Sequence, residues 1–580
     1  MTRLQRGLRR HATGGTAISR WRKGAAAVQS EPIRLLAAAV IVLVLCGLVV
    51  FPVAMLVKHS FIDAASHLSV QVFLELAANK GILSAASNSL FFIGWVTSGC
   101  LIVGVPLAWL VARTDVPAKL VIKGGAAIAF IIPSFVNVIG WIFLAAPNSG
   151  YLNKLLVSGL GLDRPPFNIF SFGGLIFIET VHLFPIVFFA VAAALANIDP
   201  SQEQAARILG AGRWRTTVTI TLPLVAPATI SSAILCMLDA LSSFGAPAVI
   251  GTTANFSVLS TAIYHLLTYP PRLDLAAATS LPIVLFTLAC LRIQQHYLRN
   301  NRFVTLTGKA TAPQLLELGI WRYPAFALAL ATVTCVAVLP FLALVLLSLL
   351  KAFGAELTLG NLAPDHYYAV FDGSFIVLPA VKNSLVLAVE AATLCILMGM
   401  GFAWLVERVS VPGSGVIAAV IMLAYGFPAI ILGVGVMLGY INVLFGTLTI
   451  ILIAYVAKHL PIAFVFVRSL MKQISPELEE AARIAGAGRL RCLIDITYPL
   501  VRPAAFVAWL LIFSLCLREQ PMSAVLTQSG TEVMSTMVLQ FIDDGSLEVA
   551  AAISVLIVVV SMTAIAAARL LAPKGVIEAR

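Results

Sequence analysis

The chain has 580 residues, of which 60% are hydrophobic and only 11% charged, with a formal net charge of +12. Soluble domains carry about 25% charged residues, so the composition excludes one and points to a chain that lives in a bilayer. The positive charge then reads as topogenic, carried by loops on one face, and not as a nucleic-acid footprint.

Residues 1–33 form a basic tail with Arg3, Arg6, Arg9, Arg10, Arg20, Arg22 and Lys23. The apolar run that follows is longer than a signal-peptide core, and no small-residue cleavage site follows it, so an uncleaved first transmembrane helix is expected. About 20 apolar residues cross a ~30 Å hydrocarbon core as helix. Hydropathy marks twelve such spans: 34–57, 86–111, 121–145, 172–195, 223–247, 275–292, 324–350, 384–406, 414–439, 443–467, 503–527 and 548–570. The expected fold class is an all-α polytopic membrane protein. Counting from a cytoplasmic N-terminus, the outer loops hold seven of the 38 Lys and Arg (Lys58, Lys80, Lys154, Arg164, Arg272, Lys351, Lys382); Arg518 lies near a span end and the other 30 fall inside. That bias places both termini in the cytoplasm. The eight cysteines lie almost all in apolar runs and none forms C-x-x-C, so neither a disulfide framework nor a metal site is indicated.

The two halves repeat. Ile198–Leu224 and Ile474–Leu500 are identical at 16 of 27 positions, at an offset of 276. Asn88-Ser89-Leu90 recurs as Asn383-Ser384-Leu385, Ala108-Trp109-Leu110-Val111 as Ala403-Trp404-Leu405-Val406, Pro117 as Pro412 and Pro133 as Pro428, at an offset of 295. The difference places about 19 extra residues in the outer loop around 146–171. The chain is thus expected to be a tail (1–33), a six-span repeat (34–292), a basic cytoplasmic linker (293–323), a second six-span repeat (324–572) and a short cytoplasmic tail (573–580). With an even number of spans per unit, the repeats are parallel, related by an axis along the membrane normal, and a pathway between them is the natural consequence.

The duplicated loops are polar, follow the fourth and tenth spans, and face the cytoplasm under this topology. Pro200 and Pro476 suit the first turn of a helix. Glu203, Gln204, Glu479 and Glu480 follow where acidic groups favour the positive end of the dipole. Ala205-Ala206 and Ala481-Ala482 continue each helix, and Gly210 and Gly486 stop it. A second amphipathic piece is expected to end at Pro223 and Pro499, where the next span begins.

Gln204-Ala205-Ala206, Gly210, Ile220-Thr221-Leu222-Pro223 and Glu480-Ala481-Ala482, Gly486, Ile496-Thr497-Tyr498-Pro499 resemble the signature loop of permease subunits of ABC-type importers. Gln204 and Tyr498 depart from that pattern, and Gln204 weakens the expected electrostatic contact of the first copy, although Glu203 matches Glu479. The resemblance covers about residues 34–570 and implies a fused permease similar to ferric-iron, thiamine and 2-aminoethylphosphonate importers, leaning to iron on Leu241–Ile250 and Leu517–Leu526. It implies that the loops are coupling helices docking on two cytoplasmic ATPase subunits, that ATP and Mg are bound by those partners, and that an extracytoplasmic binding protein delivers the solute. No catalytic residue, resident cofactor or metal is expected in this chain. The nearest fragment to a P-loop, Gly308-Lys309-Ala310, lacks the upstream glycine and the hydroxyl.

Ionisable residues inside spans are functional candidates because burying them is costly. Glu179, Asp239, Glu390, Arg518 and Glu519 are candidates for lining a pathway, with His182 three residues from Glu179. The competing reading is a satisfied inter-helix hydrogen bond or a side chain snorkelling to the interface. An ion-coupled secondary transporter also has parallel six-span repeats, but it does not call for two matched polar loops.

Overall fold

The computed structural model describes residue 36 and residues 38–571, apart from 63–66, 68, 269, 301–314, 373–376 and 410–412. The basic tail, most of the linker, Pro412 and the last residues therefore lie outside the described residues. Helices dominate; in place of strands, two isolated bridges occur among the described residues.

In the first half, the helices that concern us are α1 (Ala38–Ser60), α2 (Lys80–Arg113), α3 (Lys119–Ile131), α4 (Ser134–Ala145), α5 (Phe172–Ala196), α6 (Pro200–Ile208), α7 (Thr217–Ser242), α8 (Gly245–Ala254), α9 (Leu259–Leu267) and α10 (Leu273–Asn300). The second half gives α11 (Gly319–Leu349), α12 (Val377–Val409), α13 (Ser414–Gly426), α14 (Ala429–Tyr440), α15 (Leu448–Gln473), α16 (Pro476–Ile484), α17 (Arg489–Leu517), α18 (Pro521–Leu526), α19 (Met534–Asp543) and α20 (Leu547–Leu571). Among the described residues, ten are long and apolar enough to span.

The expected third and ninth spans are broken. α3 and α4 meet at 103°, and α13 and α14 at 110°. The cause is local: Pro133 and Pro428 force the preceding residue out of the helical region, and Ile132 and Phe427 take ψ of 118° and 131°. The second half-helix of each pair then turns into the protein, with nearly every residue of α4 and α14 buried. The expected fifth and eleventh spans stop early, at Ser242 and Leu517, and the chain continues into the short pairs α8–α9 and α18–α19.

Each repeat lends its first helix to the other. α1 packs on α14 and α11 on α4, while α1 and α11 also contact the last helices of their own repeats, α10 and α20. The contact is backbone on backbone: a Cβ on Gly140 would lie 2.4 Å from the Pro340 carbonyl oxygen, and one on Gly435 3.0 Å from that of Pro52. Only glycine allows this approach.

The Asn-Ser-Leu repeat gains a cause here. Asn88 Nδ2 donates to Ser257 O at 2.9 Å, and Ser89 Oγ accepts the amide of Leu259 at 2.8 Å. Asn383 and Ser384 do the same for Glu532 O and the amide of Met534, at 3.0 and 2.7 Å. Each motif pins the outer end of α2 or α12 to the start of α9 or α19. The insertion in the outer loop holds a helix, Tyr151–Leu160, whose Tyr151 hydroxyl donates to Ala355 O of the second repeat.

Candidate functional site: two cytoplasmic elbows and the interface between repeats

α6 and α16 are short helices with one apolar ridge presented outward. Ile208 is 85% exposed, Leu209 87% and Ile484 89%. Gln204, Ala205, Glu480 and Ala481 are also exposed, while Ala206 and Ala482 are half-buried. Gly210 and Gly486 close the helices with φ of +85° and +93°, the left-handed region that favours glycine, although a Cβ there would meet nothing within 4 Å.

The second piece of each elbow does not end at the proline as expected. Arg213–Thr216 runs through a π-turn, Thr217–Thr221, into the rest of α7, and α17 contains the same π-turn at Leu493–Thr497. Pro223 and Pro499 stand two residues past the ends of these turns, so the wider turn accommodates a residue that has no N–H to donate and would crowd an α-helical carbonyl.

Glu203 and Glu479 point away from solvent, so they anchor the elbows from behind and do not belong to the exposed surface. Glu203 is 8% exposed, pairs with Arg113 at the end of α2, and accepts from Thr221 Oγ1 at 2.7 Å. Glu479 repeats this with Arg408 Nε at 3.3 Å and Thr497 Oγ1 at 2.6 Å. Three elements therefore meet at one carboxylate: the elbow, the inner end of α2 or α12, and the π-turn of α7 or α17. The copies differ in how the arginine is held. Arg113 Nη2 donates to Glu203 and Arg408 donates to Met471 O and Ile474 O, each at 2.8 Å, while Arg113 Nη1 and Arg408 Nε are both buried without a hydrogen-bond partner. Sequence reasoning missed these arginines by two residues, since Arg113 and Arg408 stand just past the repeated Ala-Trp-Leu-Val. Thr221 and Thr497 were visible only as part of the motif.

The intramembrane candidates separate. Glu179 is 1% exposed and accepts from the Ser243 hydroxyl, while its counterpart Tyr455 is bonded to a different position, Ser523 Oγ at 2.7 Å. It is a satisfied core bond. Glu519 accepts the amide of Met522 at 3.4 Å, at the start of α18. Arg518 donates to Phe130 O and Ile131 O at 2.9 and 3.0 Å, closing the free carbonyls at the end of α3, and His182 stacks on Phe130. Glu390 sits on an exposed face of α12 with Val386, Val389, Leu394 and Leu397. Asp239 opens into a cavity between the repeats, with Lys458, which sequence reasoning did not single out.

Residues 104–303 and 395–575 match the family described as binding-protein-dependent transport system inner membrane component. The chain belongs to this family. It is a multi-pass inner-membrane permease, and its role is transport, not catalysis. The permease is 26% identical over 544 residues to a protein named ferric transport system permease protein FbpB from Actinobacillus pleuropneumoniae, covering 90% of this chain and 76% of that one. It is 26% identical over 486 residues to a putative ferric transport permease FbpB 1 of Haemophilus influenzae, covering 81% and 74%. A putative 2-aminoethylphosphonate transport permease, PhnU of Salmonella typhimurium, is 29% identical over 210 residues, covering 36% of this chain and 73% of that one.

Proposed function

We propose that this permease imports ferric iron delivered by an extracytoplasmic binding protein, with α6 and α16 docking on two separate cytoplasmic ATPase subunits that bind ATP and Mg. The observation that carries the coupling role is the pair of elbows, exposed and apolar at the tip and pinned from behind by Arg113–Glu203–Thr221 and Arg408–Glu479–Thr497. A docked partner that pulls on either tip therefore pulls on α2 and α7, or α12 and α17, together. The ATPase must bind the inward- and outward-open arrangements with different affinity, since equal affinity shifts nothing. Gln204 and Glu480 face outward at matching places and are the polar contacts of the docked elbow; the apolar contacts are Ile208, Leu209 and Ile484. Ferric iron as the solute rests on the two iron-permease relatives that cover most of the chain. The Lys and Arg distribution supports cytoplasmic termini.

The test is reconstitution of the permease with its co-expressed ATPase and binding protein in proteoliposomes. Ferric iron on the binding protein should stimulate hydrolysis and accumulate inside. If a 2-aminoethylphosphonate-loaded binding protein does so instead, the solute is wrong and the coupling stands. Uptake driven by an ion gradient without ATP would overturn the coupling role of both elbows.

A further inference from the structure

The two repeats build the same corner twice between a broken span and the other repeat, and they fill it differently. At the first corner, Arg518 reaches the carbonyls that end α3, lies 5.4 Å over the Phe130 ring and occupies the space beside His182. At the second, the carbonyls that end α13 are held from the opposite wall. Lys458, which stands where the first corner has His182, donates to Phe427 O at 2.7 Å and Tyr425 O at 3.4 Å. The position equivalent to Arg518 is Ser242, and the position equivalent to Leu515 is Asp239. Small Ser242 leaves a cavity of about 100 Å³, lined by Asp239, Ser242, Thr287, Tyr425, Phe427 and Lys458 among others.

Two features of this cavity are expensive unless something occupies it. The Asp239 carboxylate is exposed to the cavity and makes no hydrogen bond or ion pair among the described residues, with the charges of Lys458 and Arg518 acting on it from a distance. A carboxylate within a membrane span is costly and ordinarily faces a partner or a solute path. Thr287 is 2% exposed and its hydroxyl has no partner, although nearly all buried polar groups have one. The uncommitted groups are a carboxylate and a hydroxyl, with Tyr425 of the second repeat also lining the cavity, and oxygen donors of this kind suit a hard cation. Lys458 is already spent on the α13 carbonyls. Its charge keeps the site weak, and a passage needs binding favourable enough to enter and weak enough to leave.

We propose that this cavity is a transit site for a cationic solute, taken up by Asp239 with Thr287 and Tyr425, and that the opposite corner is kept shut by Arg518. Ferric iron in that role rests on the import reading above; the site itself does not.

The probe is Tb³⁺, a hard trivalent cation whose luminescence is sensitised by a nearby tyrosine, titrated into the purified full chain in lipid nanodiscs. Asp239→Asn should weaken Tb³⁺ binding at least tenfold. Ser242→Arg, which installs the plug of the opposite corner, should abolish it while the protein remains monodisperse. Tyr425→Phe should dim the signal more than it weakens binding. Unchanged titrations in both Asp239→Asn and Ser242→Arg overturn the site. Displacement of Tb³⁺ by millimolar ethylammonium but not by ferric citrate supports the site with an amine as the cation. Displacement by ferric citrate supports it with iron. In the complete transporter, both variants should lower solute uptake at least tenfold per ATP hydrolysed. Wild-type Tb³⁺ binding that depends on Asp239, in a transporter that accumulates no iron, would sink the iron reading and leave the site standing.

Discussion

The asymmetry between the two anchors yields a quantitative test through Glu203→Gln and Glu479→Gln. Arg113 is 5% exposed, and Glu203 is its carboxylate partner. Removing the charge leaves a buried guanidinium uncompensated, and breaking a buried pair this way costs about 3–5 kcal/mol. Arg408 is 13% exposed and keeps two backbone carbonyls at 2.8 Å when Glu479 is neutralised. There the loss is the ion pair, which is made without a hydrogen bond at Arg408 Nε, and the charge on the acceptor of Thr497 Oγ1, roughly 1.5–3 kcal/mol. Each 1.4 kcal/mol is tenfold in an equilibrium. Amide hydrogen exchange over residues 203–209 should therefore accelerate by about a hundredfold or more in Glu203→Gln, and over 479–485 by about tenfold to a hundredfold in Glu479→Gln. Replacing a buried pair with neutral partners is often harmless, so Arg113→Met with Glu203→Gln should recover most of the protection lost in the single variant. Equal acceleration in the two single variants, or no recovery in the double, would refute the assignment of Glu203 as an internal anchor.

Gly140→Ala should destabilise the permease more than Gly435→Ala, because the added methyl meets the Pro340 carbonyl at 2.4 Å and the Pro52 carbonyl at 3.0 Å. Overpacking of this kind costs about 1–3 kcal/mol, and thermal unfolding in nanodiscs with reversed or equal shifts would contradict the crossover packing. Gly210→Ala meets no neighbour but must hold φ of +85°, a strain of about 1–2 kcal/mol. The expected outcome is a normal melting profile with solute-stimulated ATP hydrolysis reduced, and unaltered coupling would count against the elbow geometry. Asn88→Ala and Asn383→Ala each remove one bond to the outer hairpin, worth about 1 kcal/mol. Thiol labelling of a cysteine placed at residue 255 or 530 should rise about fivefold in the matching variant and not in the other.

Hydropathy and charge bias are properties of composition, so the sequence by itself determined that this is an all-helical, duplicated, multi-pass protein with two polar elbows. It also located the elbows' glycines, because φ above zero is a local demand that few residues other than glycine meet. The tertiary structure decided three things. α1 and α11 pack across the repeats, since the glycines that admit them lie far away in sequence from the prolines they meet. Glu203 and Glu479 turn inward, although in sequence they stand in the same coupling loops as Gln204 and Glu480, because Arg113 and Arg408 arrive from another helix. The equal-looking intramembrane charges became unequal: Glu179 and Arg518 are satisfied by neighbours that linear order does not place together, and Asp239 is left facing open space. A side chain's partner in a helical membrane protein is set by which helix stands opposite, and hydrophobic periodicity carries no label for that neighbour.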